Sequence, residues 1–247
     1  FQFYMLNQSL GQVAGMPVVT LTSSPMHGLN RCLKALEDRV LAALTAKGVD
    51  VALVDRRAFA TSVTCLNVAA DGNRTILTED FGACAGWVPD AARLRALSAA
   101  RHVHIGWLQD GGHARRVLAR DGVSLSQDVS VNAAPEDLDV EGLTIAFASL
   151  SEAQADHAEK RAAELVAKGA NGAVITLGAR GSLALIGGQT FRAAAPAITP
   201  VDTTGAGDAY IAGFLAARLN GADVPKAMAA GHTCAAACCG HPGGFPQ

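Results

Sequence analysis

The sequence is poor in charge and poorer in aromatic rings: charged residues make up 17% of the 247 positions and aromatic residues 5%. Half of the residues are hydrophobic, so a sizeable core can be buried, which excludes a disordered, solvating chain. Two Trp and two Tyr are too few for a carbohydrate-binding module built on exposed aromatic platforms. Excess positive charge is also missing. Twenty Lys and Arg stand against 22 Asp and Glu, a formal net charge of −2, which argues against general binding to nucleic acid or to an anionic membrane. Apolar runs are broken before about 18 residues, so no transmembrane helix is expected. No basic n-region opens the chain, so no signal peptide is visible; the missing initiator Met suggests a natural N-terminus further upstream.

The six cysteines, Cys32, Cys65, Cys84, Cys234, Cys238 and Cys239, show no CxxC pair and no Cys/His quartet. Buried reduced thiols in a cytoplasmic protein are the expectation. Three well-known chemistry-bearing loops are absent as well. There is no G-x-x-x-x-G-K-[ST] P-loop, no strand–G-x-G-x-x-G–helix dinucleotide fingerprint, and no G-x-S-x-G nucleophile elbow.

What recurs is an alternation of short β-branched runs with longer Ala/Leu-rich runs. Strands are predicted over 18–21, 50–54, 102–107, 123–129, 143–148 and 173–177. Helices are predicted over 33–47, 91–99, 114–119, 209–219 and 225–239, with one long amphipathic helix over 152–168 closed by Gly169. Residues 182–186 and 190–192 pair across Gly187-Gly188. Strands alternating with helices point to parallel βαβ units and a three-layer α/β/α sandwich. The segments 62–68 and 74–78 flank Asp71-Gly72-Asn73, a hairpin turn that breaks the rhythm and suits a small β lid beside the sheet. The whole chain reads as one domain, with lid strands at about 50–56 and 62–80.

The most informative stretch is Val201-Asp202-Thr203-Thr204-Gly205-Ala206-Gly207-Asp208-Ala209-Tyr210, followed by a helical pattern. Gly205 and Gly207 let the backbone bend tightly and approach a ligand closely. N–H groups at the helix start, with the helix dipole, form an anion cradle. Asp208 at this point has two readings. As an N-cap it satisfies a helix N–H. As a general base it would take the proton of an alcohol while the cradle stabilises a transferred phosphoryl group.

Asp202-Thr203-Thr204-Gly205-Ala206-Gly207-Asp208 followed by x-x-x-Gly-Phe resembles the C-terminal signature of the ribokinase-like (PfkB-type) carbohydrate kinases. Asp71-Gly72-Asn73-Arg74 with Gly82-Ala83 resembles that family's lid hairpin, and Gly48-Val49-Asp50 the segment before its first lid strand. Phe147-Ala148-Ser149-Leu150-Ser151-Glu152 stands where the family has N-x-x-E. Val174-Ile175-Thr176-Leu177-Gly178-x-x-Gly181-Ser182 resembles its V-T-x-G-x-x-G nucleotide strand and loop. Within the family the chain most resembles the fructoselysine 6-kinase branch, on Ser149 in place of Asn and on His102-Val103-His104-Ile105-Gly106-Trp107.

The resemblance implies a ribokinase-like fold and ATP-dependent phosphorylation of a hydroxyl of a sugar or fructosamine. It makes Asp208 the base and the N–H groups of Gly205, Ala206 and Gly207 the anion hole. Thr176, Gly178 and Gly181 would border the nucleotide, and Glu152 would position Mg2+ through water. Asp202 and Thr204 stand where some members hold K+. ATP and a small sugar are the implied partners, with no nucleic acid or membrane, and with a homodimer through the lid. Asp128, at a strand end facing the ligand crevice, is a substrate candidate. Trp107, Gln109 and Asp110, at another strand end, are further candidates; His104 reads as a hydrogen-bonded core residue. The family's Gly-Gly-Asn substrate loop and early substrate Asp have no counterpart in residues 1–15, so the N-terminal substrate elements are expected to be missing. The rival reading is a catalytically weak sugar- or nucleotide-binding regulator on the same fold. Retention of Asp208 speaks against it.

Overall fold

A computed structural model describes residues 23–25, 41–57, 63–68 and 74–241. The expected strand at 18–21, the first part of the helix at 33–47 and the turn at 71–73 lie outside the described residues. In chain order the strands are β1 (Ser23–Pro25), β2 (Asp55–Arg57), β3 (Val63–Val68), β4 (Arg74–Asp80), β5 (Val103–Ile105), β6 (Leu125–Asp128), β7 (Ile145–Ser149), β8 (Gly172–Thr176), β9 (Ser182–Ile186) and β10 (Gln189–Ala193). The helices are α1 (Ala91–Ser98), α2 (His113–Arg120), α3 (Ala158–Ala167), α4 (Ala206–Leu219) and α5 (Val224–Cys238). Residues 41–46 are also helical.

The central sheet has the order β10-β9-β8-β7-β6-β5. Strands β5 to β8 are parallel, and β9 runs antiparallel to both β8 and β10, so the sheet is mixed. Side chains alternate across each strand. Ala146, Ala148, Ile175 and Leu183 face a core completed by Leu97, Leu118 and Leu165 of α1, α2 and α3. Ile145, Phe147, Val174 and Ala184 face a second core completed by Phe214, Leu215 and Met228 of α4 and α5. The expected three layers result. Full burial of a Phe or Leu is worth about 1.5–3 kcal/mol, and Phe147 and Phe214 meet edge to face at 5.6 Å in the second core.

Helix α4 is apolar all round, with every residue from Ala209 to Ala216 buried, because the sheet covers one side and α5 the other. Small residues allow that approach. A Cβ on Gly213 would stand 2.7 Å from the Ala230 carbonyl oxygen and 2.7 Å from Cys234 Sγ. Asp223 caps α5 by accepting from Lys226 N at 2.9 Å, and Asp90 caps α1 by accepting from Arg93 N at 2.8 Å.

Two expectations are corrected. Residues 51–54 are not a strand: Asp50 Oδ1 accepts from Ala52 N at 2.8 Å, folding the chain into a turn, and the strand begins at Asp55. The long helix over 152–168 is two pieces. A 3₁₀ segment, Glu152–His157, opens on a capping box between Ser151 and Gln154, and α3 starts at Ala158. The hairpin survives: β3 and β4 pair antiparallel as a two-stranded sheet of their own, outside the central sheet.

Candidate active site

The parallel strands β5 to β8 end at one rim of the sheet. The reversal into β9 puts the 177–181 turn at the same rim, and the start of α4 lies there too. Loops at strand carboxyl ends are the usual ligand crevice of such sheets.

Gly205 is the residue before α4, with φ 78°, in the left-handed region that glycine alone tolerates cheaply. It occupies the N-cap position, so Asp208 does not; that reading of Asp208 is set aside. Asp208 instead sits in the first turn of the helix. Ala206 N donates to the Thr203 carbonyl at 3.2 Å, so this N–H of the expected anion hole is engaged within the turn. A Cβ on Gly207 would meet nothing within 4 Å, which leaves open space over this part of the turn.

The turn is tied down from both sides. Asp202 Oδ1 accepts from Thr204 N at 2.9 Å and from Thr204 Oγ1 at 2.8 Å. Val201 N and Asp202 N both donate to the Cys239 carbonyl beyond α5. Cys238 Sγ donates to the Thr204 carbonyl at 3.4 Å. Burial, then the charges of Cys239, Asp208 and Asp202, push the Cys238 thiol up to about 11, so it remains a donor.

Asp208 keeps some solvent-facing surface but lies among enough protein to lose most of its hydration. That desolvation, with the charge of Asp128 next, pushes its carboxyl up to about 8. Asp128 ends β6, and its Oδ1 accepts from Ser130 N at 2.8 Å. Burial raises its carboxyl above the usual range despite that bond. The structure therefore brings Asp128 and Asp208 into electrostatic contact from two different elements, a relation no spacing in the sequence discloses.

Thr176, Gly178 and Gly181 fall together on the turn between β8 and β9. Leu177 N donates to the Gly181 carbonyl, and Gly181 N to that of Gly178. A Cβ on Gly181, at φ 94°, would lie 2.0 Å from the Ala193 carbonyl oxygen, so no side chain fits there. Glu152 Oε1 accepts from Ala179 N at 3.3 Å, and Arg180 Nη1 donates to the Glu152 carbonyl at 3.1 Å. Glu152 is thus on the side of the crevice formed by the 177–181 turn, bracing its backbone.

Of the substrate candidates, Trp107 faces the end of the β3–β4 hairpin. Its ring stacks on Phe81, and its Nε1 donates to the Asn132 carbonyl at 3.0 Å. Asn132 Nδ2 donates to Glu79 Oε2 of β4 at 2.6 Å. Asp110 is engaged differently: its carboxylate accepts from His113 N and Ala114 N at the start of α2. Gln109 Oε1 accepts from Gly86 N at 3.3 Å. His104 is a core residue, as expected, with Nδ1 bonded to Ser126 Oγ at 2.8 Å. Phe81, Glu79 and Asn132 were not singled out from the sequence, where nothing marks contacts so far apart in the chain. Among the described residues no cluster of three or more His, Cys, Asp or Glu would hold a metal ion by itself. No described helix is long and apolar enough to cross a membrane.

Residues 133–246 match the sequence profile described as pfkB family carbohydrate kinase. That match covers a little under half of the chain. The matched part of the chain holds both turns, Glu152 and Asp208. The chain is 45% identical over 91 residues to fructoselysine 6-kinase of Shigella flexneri, a stretch covering 36% of this chain and 35% of that protein. The match thus spans about a third of the length of that relative. Among solved structures, Arabidopsis thaliana ribokinase complexed with ribose and ATP superposes with a TM-score of 0.79 at 19% identity, over 98% of this chain and 83% of that one. A putative ribokinase II from Escherichia coli in complex with ATP and Mg2+ gives 0.76 at 18% identity, over 99% and 83%. The fold is therefore ribokinase-like.

Proposed function

We propose that the protein transfers the terminal phosphoryl group of ATP to a hydroxyl of a sugar derivative, with a fructosamine as the substrate class. The observation that carries this reading is Asp208: a carboxylate with raised proton affinity, in the first turn of α4, beside a glycine turn open to a ligand. Such a group is suited to receive an alcohol proton as the oxygen attacks phosphorus. N–H groups of the Gly205–Gly207 turn and the dipole of α4 would stabilise charge on the transferred group. The turn from Thr176 to Gly181 offers backbone to a nucleotide without a P-loop lysine. The fructosamine class rests on the partial likeness to fructoselysine 6-kinase.

Mg2+ would arrive with the nucleotide phosphates. Burial and proximity make it costly for Asp128 and Asp208 to be ionised together, a cost that a cationic ligand would relieve, and Glu152, beside the 178–181 turn, would orient metal-bound water. When bound, the ion would neutralise phosphate charge. The Asp202–Thr204 turn is the place for K+. The hairpin β3–β4 would act as the lid, and as the contact between two copies in a homodimer. A cytoplasmic location suits the ATP requirement.

The test is Asp208→Asn, which keeps shape and removes proton affinity. Turnover with ATP and fructoselysine should fall by about 10²–10⁴-fold, the usual weight of general base catalysis, while ADP affinity holds. An Asn variant as active as the parent would end this mechanism.

A further inference from the structure

We propose that Ser182, Tyr210 and His232 form a buried relay of hydrogen bonds that locks the Asp208 helix to the nucleotide turn, making the three side chains positioning residues for ATP binding. The inference rests on the kinase reading above.

All three residues are buried. Ser182 opens β9, immediately after Gly181 of the turn. Tyr210 stands in α4 two residues after Asp208, and His232 in the middle of α5. Ser182 Oγ lies 2.8 Å from Tyr210 Oη and 2.9 Å from His232 Nε2. One small hydroxyl thus joins three elements that meet at the rim.

Burial disfavours a second proton on the His232 ring, so the imidazole is neutral, with one nitrogen a donor and the other an acceptor. Ser182 Oγ bridges the Tyr210 hydroxyl and His232 Nε2, and the chain of bonds runs Tyr210 to Ser182 to His232. The backbone is shaped around it: a Cβ on Gly231 would lie 2.9 Å from the Tyr210 ring and 2.9 Å from its carbonyl oxygen. Tyr210 and His232 rings meet edge to face at 4.9 Å. All three side chains are buried, so their effect on a nucleotide would pass through the elements they join.

The experiment compares ADP affinity by calorimetry and thermal stability for the parent, Tyr210→Phe, Ser182→Ala and the double variant. Met228→Ala, a buried residue outside the relay, serves as a control for lost stability alone. Each relay variant should weaken ADP binding about five-fold, the net weight of one hydrogen bond. The double variant should bind no more weakly than Ser182→Ala alone, since both changes break one chain. Met228→Ala should lose stability and keep ADP affinity. Relay variants with parental ADP affinity, or losses that simply add, overturn the relay and leave the kinase reading standing. A parent that binds no ADP at millimolar concentration overturns both.

Discussion

Phe81 lies flat against Trp107, with ring centroids 4.4 Å apart and ring planes within 13°. Phe81 follows the last strand of the hairpin and Trp107 follows the edge strand of the described central sheet, so the contact closes the hairpin onto the sheet rim. Asn132 reinforces it by accepting from the Trp107 indole through its carbonyl and donating to Glu79 through its amide.

Asn132→Ala should loosen this clasp. Trp87 is buried, so a change in tryptophan emission reports chiefly on Trp107. The variant should show red-shifted emission and greater acrylamide quenching than the parent. The KM for the sugar should rise about five-fold, the loss of one net hydrogen bond. Unchanged quenching would mean that Asn132 holds nothing shut.

On the proposed role of Asp208, activity and stability should move in opposite directions with pH. Its carboxyl is pushed up to about 8, so the ionised base accumulates as pH rises and kcat/KM should climb through that region. A raised carboxyl favours the folded state fully below the ordinary carboxylate range near 4, and that contribution is lost as pH rises through about 8. The melting temperature of Asp208→Asn, relative to the parent, should therefore increase from pH 4 to 8 and level off beyond. A difference independent of pH would place the Asp208 carboxyl in the ordinary range.

His102 and His104 work the other way. Burial holds His102 at about 4, and burial with the neighbouring His102 holds His104 at about 3. Depressed imidazoles give stability that is present above their ordinary value near 6.5 and lost as pH falls toward 4 and 3. His104 Nε2 is buried without a hydrogen-bond partner among the described residues, so His104→Phe gives up only the bond to Ser126. Its urea midpoint should fall less than the parent's between pH 7 and 4.

The α4–α5 contact should tolerate no added carbon. Gly213→Ala drives a methyl toward the Ala230 carbonyl, which is backbone and cannot rotate away. A stability loss of about 1–3 kcal/mol is expected in chemical denaturation, the usual cost of overpacking. Because α4 carries Asp208, ADP affinity measured on the folded fraction is the useful second readout.

The architecture was legible because it is local. Leu118, Leu125, Phe147 and Val174 sit in runs whose period declares strand or helix, and the Gly205-Ala206-Gly207-Asp208 turn stands out by composition alone. The misreadings were also local, where a side chain competes with the backbone. Asp50 folds Ala52 back on itself, and Gln154 tightens the start of the 152–157 segment. Residues far apart in the chain left no trace. Nothing in the sequence brings Asp128 to Asp208, Phe81 to Trp107, or His232 to Ser182, because those meetings depend on the packing of whole layers.

The reversal of direction between β8 and β9 divides the molecule into a busy end and an idle one. The Gly187-Gly188 turn lies a full strand away from Ser182, roughly 16 Å at about 3.3 Å per residue, and side chains added at either glycine would meet nothing within 4 Å. Gly122 and Gly221 mark turns at that same far end and are equally unobstructed. A fluorophore or an affinity handle spliced between Gly187 and Gly188 would hold the protein by its underside. The rim bearing Asp128, Gly181 and Asp208 would then face outward, free for ligands arriving from solution.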